Sequence, residues 1–574
     1  MKVKHVLIGV AAMVLFAAAN VNAQTVQFAA VGSSAMYLEM GQAAASTLGC
    51  VWTTSSKTVI QPKDLRVGGG TLEQTTAWVA WSAGSGSCAT PGSGSVIYTY
   101  MNADSTIGNR CFFANPRCTI TVTGAAGTGG ANALPGFTDT TMPSAIATAL
   151  SGASVNVAAS DIRPEDSKFA TIRALTSCGT PIGGSTSQYL GLGYETGTTG
   201  VGTAIQGSSH QSSGNGSSFN IFDFNLMGSD PITSNTLSGS FTVTPVGAVP
   251  VVVFVNPSNT GGFGSLLVSN IDRATLAGYL DGTFGRVADI IPQPFSSGSS
   301  GGAIAYLREP VSGTYNTMEY AIPNSVENKS SQEIGLAAVA ANNAIRPFPP
   351  FHCAGGVTGG LWDATQNPLN EDDSSTRGTT GNPSGRYRAI GTGNEVKAVQ
   401  ATPDSIGYSF WSAANFSGAT ATNTKYLTVD GIDPIQQNWT DGLVPTSGNE
   451  LLGNVTLAHV KDGSYPIWSL LRLVSDSSGV GLTATRALVA DAANFLSPTQ
   501  PDFIPASELT VVRSHFAPPT VNFPSAAGTN TPSNGTGSFA EAGGDVAGLV
   551  FTLQADGDYN TDNGVSTGNT GKRQ

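Results

Sequence analysis

A short apolar strand, a polar turn and a helix follow one another repeatedly in the first part of this chain. A first strand is predicted over 24–31, and after the next turn apolar residues recur at helical spacing over 36–48. Two further strands are predicted over 96–101 and 154–159, and each is followed by a polar turn. Alternation of strands with helices predicts an α/β sheet, in which ligands bind at the carboxyl ends of the strands.

The turns after these strands supply the first candidate binding residues. Ser33 and Ser34 follow the first strand, Ser105 follows the second and Asp161 follows the third. Because the carboxyl ends of parallel strands meet at one edge of a sheet, we expect these side chains to lie close together. The turn with Ser33 and Ser34 also fits a simple helix cap, as does Asp161, and the sequence leaves this alternative open.

A second polar segment carries the clearest chemistry. The apolar run 303–307 predicts a buried strand that ends in Arg308. A turn with two hydroxyl groups and a glycine then leads into a helix: Ser312, Gly313 and Thr314. A guanidinium fork, hydroxyls and free backbone N–H groups at a helix start are typical of an oxyanion site. Alternatively, Glu309 or Glu319 pairs with the arginine for structural reasons.

Composition and charge exclude several classes of function. The formal net charge is −12, and charged residues make up only 11% of the chain, against roughly 25% in ordinary soluble domains. Such a chain is a poor partner for nucleic acid or an anionic membrane surface. An anion would therefore have to be held by local dipoles and by one or two placed cations.

The first 23 residues predict a secretory signal peptide that is cleaved after Ala23. Lys2 and Lys4 precede an apolar run over 6–19, and small residues stand before the cut. Loss of two lysines and no acids changes the formal charge from −12 to −14. Later apolar runs fall short of the roughly 18 residues of a membrane span. We therefore expect a periplasmic or secreted protein with no membrane span in the mature chain.

The cysteines also indicate an exported protein. All six lie after residue 23, and an even number in an exported chain favours disulfide bonds. Cys111 and Cys118 are near enough in sequence to close one loop. Free buried thiols are the alternative. No spacing of cysteine and histidine is typical of zinc, and no metal or cofactor is expected.

The predicted organisation is two lobes with irregular additions. Glycine, serine and threonine dominate the blocks that interrupt the strand and helix pattern. A helix is predicted over 505–516, with proline at its first position. The segments are a first lobe (24–165), an irregular insertion (166–248), a second lobe (249–460, with an irregular block at 348–386), a return to the first lobe (461–516) and a tail (517–574).

The order of these motifs resembles the phosphate-binding protein of ABC-type phosphate importers and, more broadly, the two-lobed type II periplasmic binding fold. The resembling stretches are 32–35, 104–108, 158–161, 276–289, 308–314, 391–408 and 465–467. Two positions depart from the family pattern. Ala35 stands where the family usually has a threonine, and Pro310 stands where it often has an aspartate beside the arginine.

The resemblance implies a role for each candidate. One lobe would clamp the anion with Arg308 and three neighbours: Ser312, the Gly313 N–H and Thr314. The opposite lobe would donate from its serines: Ser33, Ser34 and Ser105. Asp161 would accept a hydrogen bond from a protonated oxyanion, which a fully ionised sulfate cannot offer. A membrane ABC importer would then receive the ligand.

Other interpretations remain open at this point. An exported surface or matrix protein could keep the binding-protein fold without a transport role. A phosphatase-like hydrolase fits least, because the sequence shows no metal cluster or activated nucleophile, and we expect no enzyme activity. The turn formed by Gly391, Thr392 and Gly393 is interpreted as a packing feature, with ligand contact as the alternative.

Overall fold

A computed structural model describes most of the two predicted lobes. The described residues are 24–54, 59–63, 76–113, 117–123, 134–162, 194–196, 202–204, 241–264, 268–281, 284, 286–290, 302–308, 312–319, 321–322, 385–389, 391–436, 442–449 and 451–510. The predicted signal peptide, Pro310, the block 348–384 and the tail 517–574 lie outside them.

The first part of the chain supplies seven strands and three helices. The strands are β1 (Thr25–Gly32), β2 (Cys50–Thr53), β3 (Val59–Lys63), β4 (Thr76–Trp81), β5 (Val96–Asn102), β6 (Thr119–Thr123) and β7 (Val157–Ser160). The helices are α1 (Tyr37–Leu48), α2 (Ser105–Phe113) and α3 (Ser144–Leu150). Each of the strands β1, β5 and β7 ends where the sequence predicted a polar turn.

The middle of the chain adds further strands and helices. The strands are β8 (Tyr194–Thr196), β9 (Gly202–Ala204), β10 (Phe241–Val255), β11 (Asn270–Ile271), β12 (Ile304–Arg308), β13 (Gly385–Ala389), β14 (Ser405–Phe410), β15 (Lys425–Tyr426) and β16 (Thr428–Val429). The helices are α4 (Arg273–Asp281), α5 (Gly313–Glu319) and α6 (Thr392–Ala401).

The last described part returns to the first lobe. It contains α7 (Ala458–Lys461), β17 (Trp468–Asp476), α8 (Val480–Ala492) and β18 (Ile504–Pro505). Short 3-10 turns lie at Ser34–Met36, Val287–Ile290, Leu452–Asn454, Ala493–Phe495 and Ala506–Glu508. None of the described helices combines the length and the apolar character needed to cross a bilayer.

The fold is a two-lobed α/β arrangement built on one large mixed sheet, as predicted. The strands follow the order β13-β12-β14-β10-β17-β7-β1-β5-β4-β2. We define the second lobe by the strands β13, β12 and β14. We define the first lobe by the strands β17, β7, β1, β5, β4 and β2. Strand β1 is parallel to both β5 and β7, and β12 is parallel to both β13 and β14. In each lobe, therefore, several carboxyl ends lie at one edge of the sheet.

Strand β10 connects the two lobes. Its residues 241–250 pair antiparallel with β17, and its residues 251–255 pair antiparallel with β14. The strand is buried over almost its whole length, including Val251, Val252 and Val253. The sequence predicted a strand only from residue 249, whereas the structure begins it at Phe241. Pairing with β17 explains the earlier start, because this distant partner satisfies the backbone of a segment that Pro245 and Gly247 interrupt.

Two glycines allow the elements around the first-lobe edge to pack closely. Gly32 has a φ of +141°, and a Cβ there would collide with the carbonyl of Ala159 on β7. Gly108 on α2 lies against the carbonyls of Val31 and Ala159 in the same way. Backbone contact at this spacing needs residues without a side chain. The close packing fixes the turns after β1, β5 and β7 relative to one another.

The predicted helix over 505–516 is wrong in its described part. Ile504 and Pro505 pair with Ala248 and Gly247 of β10, and only a single 3-10 turn follows, at Ala506–Glu508. Leu509 then has an extended backbone conformation. The proline at a predicted first helical position therefore starts one turn and no longer helix.

Four cysteines form two disulfides. Cys50 pairs with Cys88, and Cys111 pairs with Cys118 as the spacing predicted. Cys178 and Cys353 lie outside the described residues.

Candidate functional site

The carboxyl ends of strands from both lobes meet around one buried cluster. Ser33 follows β1, Asp104 and Ser105 follow β5, and Asp161 follows β7. From the other lobe come Arg308 at the end of β12, the start of α5, and Thr392 at the start of α6 after β13. This is the edge at which α/β sheets bind their ligands.

Asp161 is the centre of the first-lobe half. Its side chain is almost fully buried, and Ser33 donates its hydroxyl hydrogen to Oδ1 of Asp161. The backbone N–H of Asp161 donates to the hydroxyl oxygen of Ser105 at 3.1 Å. Burial raises the pKa of Asp161 to about 6, although hydrogen bonds from the two serines and the charges of Arg308 and Arg472 act in the opposite direction.

Two residues of β17 donate hydrogen bonds to the backbone carbonyl of Asp161. Ser469 donates its hydroxyl hydrogen to the carbonyl of Asp161. Arg472 is 4% exposed, and its Nη1 donates to the same carbonyl at 3.0 Å and to the carbonyl of Leu470 at 2.9 Å. The sequence did not predict this second buried cation, because the pairing of β7 with β17 joins segments about 310 residues apart. Arg472 fixes the backbone that carries the Asp161 carboxyl group.

Arg308 lies at the centre of the second-lobe half. It is only 2% exposed, and its Nη1 donates to Oγ1 of Thr392 at 2.6 Å and to Oγ1 of Thr314 at 3.3 Å. Two carboxylates balance its charge: Oδ1 of Asp104 is 3.7 Å from Nη2, and Oε2 of Glu395 is 3.9 Å from Nε. The Asp104 contact crosses from one lobe to the other.

Two carboxylates that the sequence did not predict form ion pairs with Arg308. Glu309 lies outside the described residues, and the ion pairs involve Asp104 and Glu395. Glu395 is positioned by its Oε1, which accepts the backbone N–H of Tyr408 on β14 at 3.0 Å. The hydroxyl oxygen of Tyr408 in turn accepts the backbone N–H of Arg308 at 3.2 Å. The arginine is therefore fixed through both its backbone and its side chain.

The start of α5 brings the second lobe into contact with the first. Ser312 accepts the backbone N–H of Tyr315 at 3.4 Å with its hydroxyl oxygen and so caps the helix. A Cβ atom on the next residue, Gly313, would collide with Oδ2 of Asp161 and Oγ of Ser105. Only a glycine allows the two lobes to approach this closely here.

Ser34 and Thr392 face each other between the lobes. Their hydroxyl oxygens are 3.5 Å apart, and either can donate. Ser34 is half-buried, whereas Thr392 is 5% exposed. At Ala35, the position that departs from the family pattern, the backbone N–H donates to the hydroxyl oxygen of Ser33 at 3.1 Å. Ser33 therefore caps the turn and contacts Asp161 at the same time.

All eight residues predicted from the sequence lie in or beside this cluster. Ser33, Ser105 and Gly313 each lie against Asp161, Thr314 contacts Arg308, Ser34 reaches Thr392, and Ser312 caps the helix that presents Gly313. Their roles in holding a ligand stay a prediction. Four further residues were missed: Asp104, Thr392, Glu395 and Arg472. Two of them, Asp104 and Thr392, lie within turns that the sequence predicted, so their place in those turns was the available signal.

Comparison with solved structures yields several phosphate-binding proteins at low similarity. One from Stenotrophomonas maltophilia is 13% identical, with a TM-score of 0.30 and coverage of 71% of this chain and 83% of that chain. An ABC-type phosphate transport receptor from Vibrio cholerae is 11% identical, with a TM-score of 0.25 and coverage of 45% and 69%. A human phosphate binding apolipoprotein is 12% identical, with a TM-score of 0.28 and coverage of 62% and 79%.

Sequence comparison gives nothing further, since no protein-family model matches the chain and no curated protein matches it. At these TM-scores the structural likeness is too low to support a conclusion about function. The function proposed below therefore rests on the geometry of the cluster.

The cluster has the chemistry of a dry anion site with one proton acceptor. Arg308 and the hydroxyls of Ser34, Thr314 and Thr392 provide donors from two lobes, while Ser33 and Ser105 donate to Asp161. Asp161 is the acceptor nearest to Gly313. In a water-poor site, hydrogen bonds between ionised groups are stronger than they are in water. Within the described residues, no group of three or more histidine, cysteine or acidic side chains is placed to hold a metal ion.

Proposed function

We propose that this chain is an exported solute-binding protein that captures phosphate or a similar oxyanion between its two lobes. The observation that carries the proposal is the convergence of Arg308 and Gly313 from one lobe with Ser105 and Asp161 from the other. Export rests on the predicted signal peptide, residues 1–23. Delivery to a membrane ABC importer is part of the same proposal.

Binding would occur by closure of the lobes on the anion. Arg308 supplies the positive charge, and hydroxyl donors from both lobes complete the surroundings of the anion oxygens. The nearby carboxylates Asp104 and Glu395 hold the guanidinium in place. Since donors lie on both sides of the cleft, only the closed form can use them all.

Selectivity would come from Asp161. Above a pH of about 6 this side chain is a carboxylate and can only accept hydrogen bonds. A hydrogen phosphate ion brings a proton for it, whereas a sulfate ion would place two unscreened negative groups together. The site therefore favours a protonated oxyanion, and no chemical step on the ligand is proposed.

The proposal is tested by calorimetry of the purified chain with inorganic phosphate and with sulfate. We expect phosphate to bind at micromolar concentration or tighter and sulfate to bind much more weakly. Arg308→Lys keeps the charge but loses the planar fork, so it should weaken phosphate binding at least about tenfold. Arg273→Lys is the matched control, because Arg273 pairs with Asp430 at the surface.

Two outcomes would contradict the proposal. If calorimetry detects no heat of phosphate binding to the unaltered chain, the alternative is favoured: a surface or matrix protein that keeps the fold without a transport role. Equal affinity of the Arg308→Lys and Arg273→Lys variants would show that the ligand binds elsewhere.

A further inference from the structure

We propose that Thr392 is a further ligand-binding residue of this site, and that its hydroxyl also links the two closed lobes through Ser34. This inference rests on the proposed function. Thr392 belongs to a turn that the sequence analysis interpreted as packing. Its position between Arg308 and Ser34 argues for a role in binding.

The hydrogen bonds around Thr392 set the direction of its proton. Nη1 of Arg308 is a donor and has no lone pair to offer, so Oγ1 of Thr392 must accept at 2.6 Å. The hydroxyl hydrogen of Thr392 then points away from the guanidinium. The Ser34 hydroxyl oxygen is 3.5 Å from Oγ1 of Thr392, the long limit of a hydrogen bond, so it does not fix this hydrogen strongly. A hydroxyl oriented in this way is ready to donate to an anion oxygen.

Helix α6 fixes the position of the Thr392 hydroxyl relative to Arg308. The helix begins at Thr392, directly after Gly391, whose φ of +83° turns the chain into the helix. One turn later Glu395 lies 3.9 Å from Nε of Arg308 and accepts the backbone N–H of Tyr408. The same helix therefore contacts both ends of the guanidinium group. Its first residue cannot shift without loss of these contacts.

Arg308 orients two hydroxyls at once. Its Nη1 also donates to Thr314, at 3.3 Å. Thr314 was predicted as a binding residue and lies only 6 residues after the arginine in the chain. Thr392 has the shorter contact and is equally withdrawn from water. If Thr314 donates to an oxyanion, the same geometry gives Thr392 that role.

The contact with Ser34 adds a second function. Ser34 belongs to the turn after β1 in the first lobe, and Thr392 belongs to the second lobe. A hydroxyl that contacts the ligand and the opposite lobe together would slow lobe opening. Its loss should therefore act mainly on the dissociation rate of the ligand.

The test compares three variants of the full chain with inorganic phosphate as the probe. Thr392→Val keeps the shape but removes the hydroxyl, and Thr392→Ser restores it. Thr402→Val is the matched control, because Thr402 ends the same helix region, is fully buried and bonds to the Tyr306 hydroxyl at 2.9 Å, away from the cluster. Calorimetry gives the Kd, stopped-flow fluorescence gives the dissociation rate, and thermal unfolding gives the Tm.

We expect Thr392→Val to raise the Kd for phosphate about 10- to 100-fold, mostly through faster dissociation, while Thr392→Ser stays within a few-fold of the unaltered chain. Thr402→Val should lower the Tm without a change in Kd. Normal binding by Thr392→Val would overturn this inference alone, and so would equal weakening by Thr392→Val and Thr402→Val. Failure of the unaltered chain to bind phosphate would overturn the proposed function together with the inference.

Discussion

Gly313 of the second lobe lies directly against the carboxyl group of Asp161 in the first lobe. A Cβ atom at position 313 would overlap Oδ2 of Asp161 and Oγ of Ser105. The contact joins two turns that are about 150 residues apart in the chain. It shows that the lobes meet at the same point where the candidate donors and the candidate acceptor converge.

The first prediction concerns this contact. Gly313→Ala should weaken phosphate binding about 10- to 100-fold, because the added methyl group holds the lobes apart at the point of closure. The helical backbone of α5 accepts alanine, so the variant should fold. Calorimetry gives the affinity, and small-angle scattering with and without phosphate gives the degree of closure.

Gly393→Ala is the control for this substitution. A Cβ there would meet only Oδ1 of Asn415, at an ordinary contact distance of 3.8 Å. Alanine inside helix α6 should leave binding unchanged and stabilise the fold by about 0.5–1 kcal/mol. Unaltered phosphate affinity of Gly313→Ala would show that closure does not depend on this contact.

The second prediction concerns ion selectivity and pH. The pKa of Asp161 is raised to about 6 by burial, so the side chain changes from acceptor to donor as the pH falls through that value. Sulfate affinity should therefore rise below pH 6. Asp161→Asn has a permanent donor and should bind sulfate at least about tenfold more tightly, relative to phosphate, at pH 8. Competition calorimetry at pH 5 and pH 8 measures both ratios.

Asp404→Asn serves as the comparison for Asp161→Asn. Asp404 also has a pKa raised by burial, but it accepts hydrogen bonds from Phe263 and Asn259, outside the cluster. If Asp404→Asn changes the ratio of sulfate affinity to phosphate affinity as much as Asp161→Asn does, Asp161 is not the selective group.

The third prediction concerns a buried acid pair and the pH dependence of stability. Glu39 on α1 and Asp502 near β18 are 1% and 3% exposed, and burial raises the pKa of both. The folded state then holds protons more tightly than the unfolded state, so stability is greatest at acid pH and falls as the pH rises above about 4. Urea unfolding at pH 5 and pH 8 should show a lower free energy of unfolding at pH 8.

Glu39→Gln should reduce this pH dependence. The amide keeps an oxygen for Nε2 of Gln500, which donates to Glu39 at 3.0 Å, and it cannot ionise. Glu508→Gln is the control, because Glu508 is half exposed and pairs with Lys461 at the surface. A Glu39→Gln variant with the pH profile of the unaltered chain would rule out Glu39 as a contributor.

The fourth prediction compares the two disulfides. The Cys50–Cys88 bridge joins residues 38 apart, and the Cys111–Cys118 bridge joins residues 7 apart. Because the cost of closing an unfolded loop grows with its length, removal of the first bridge should cost about 4 kcal/mol and removal of the second about 2–3 kcal/mol. Double serine variants of each pair, unfolded in urea, measure both values. A larger loss at the shorter loop would contradict the loop-length argument.

Local sequence patterns predicted many of the residues that lie in the candidate site. Each predicted strand that ends in a polar turn placed its turn at the sheet edge, as the turns at Ser33, Ser105 and Asp161 show. The sequence could not identify Asp104 and Glu395 as partners of Arg308. These contacts depend on how strands far apart in the chain pair, and no local pattern reports such pairing.

Some local patterns also misled. The start of β10, which contains Pro245 and Gly247, and the proline at 505 were given the wrong structure, because in both places the β10 ladder overrides local preference. Thr392 was interpreted as packing, since a short glycine turn by itself says nothing about what faces it.

The sequence by itself determined the strand ends, the residue types at each turn and the spacing that closes the Cys111–Cys118 loop, because these depend on neighbours along the chain. Only the tertiary structure decided that Gly313 meets Asp161, that Arg308 is balanced from both lobes and that Arg472 lies behind the acidic group. Those contacts depend on the order of strands in the sheet, and strand order is set by burial summed over the whole chain.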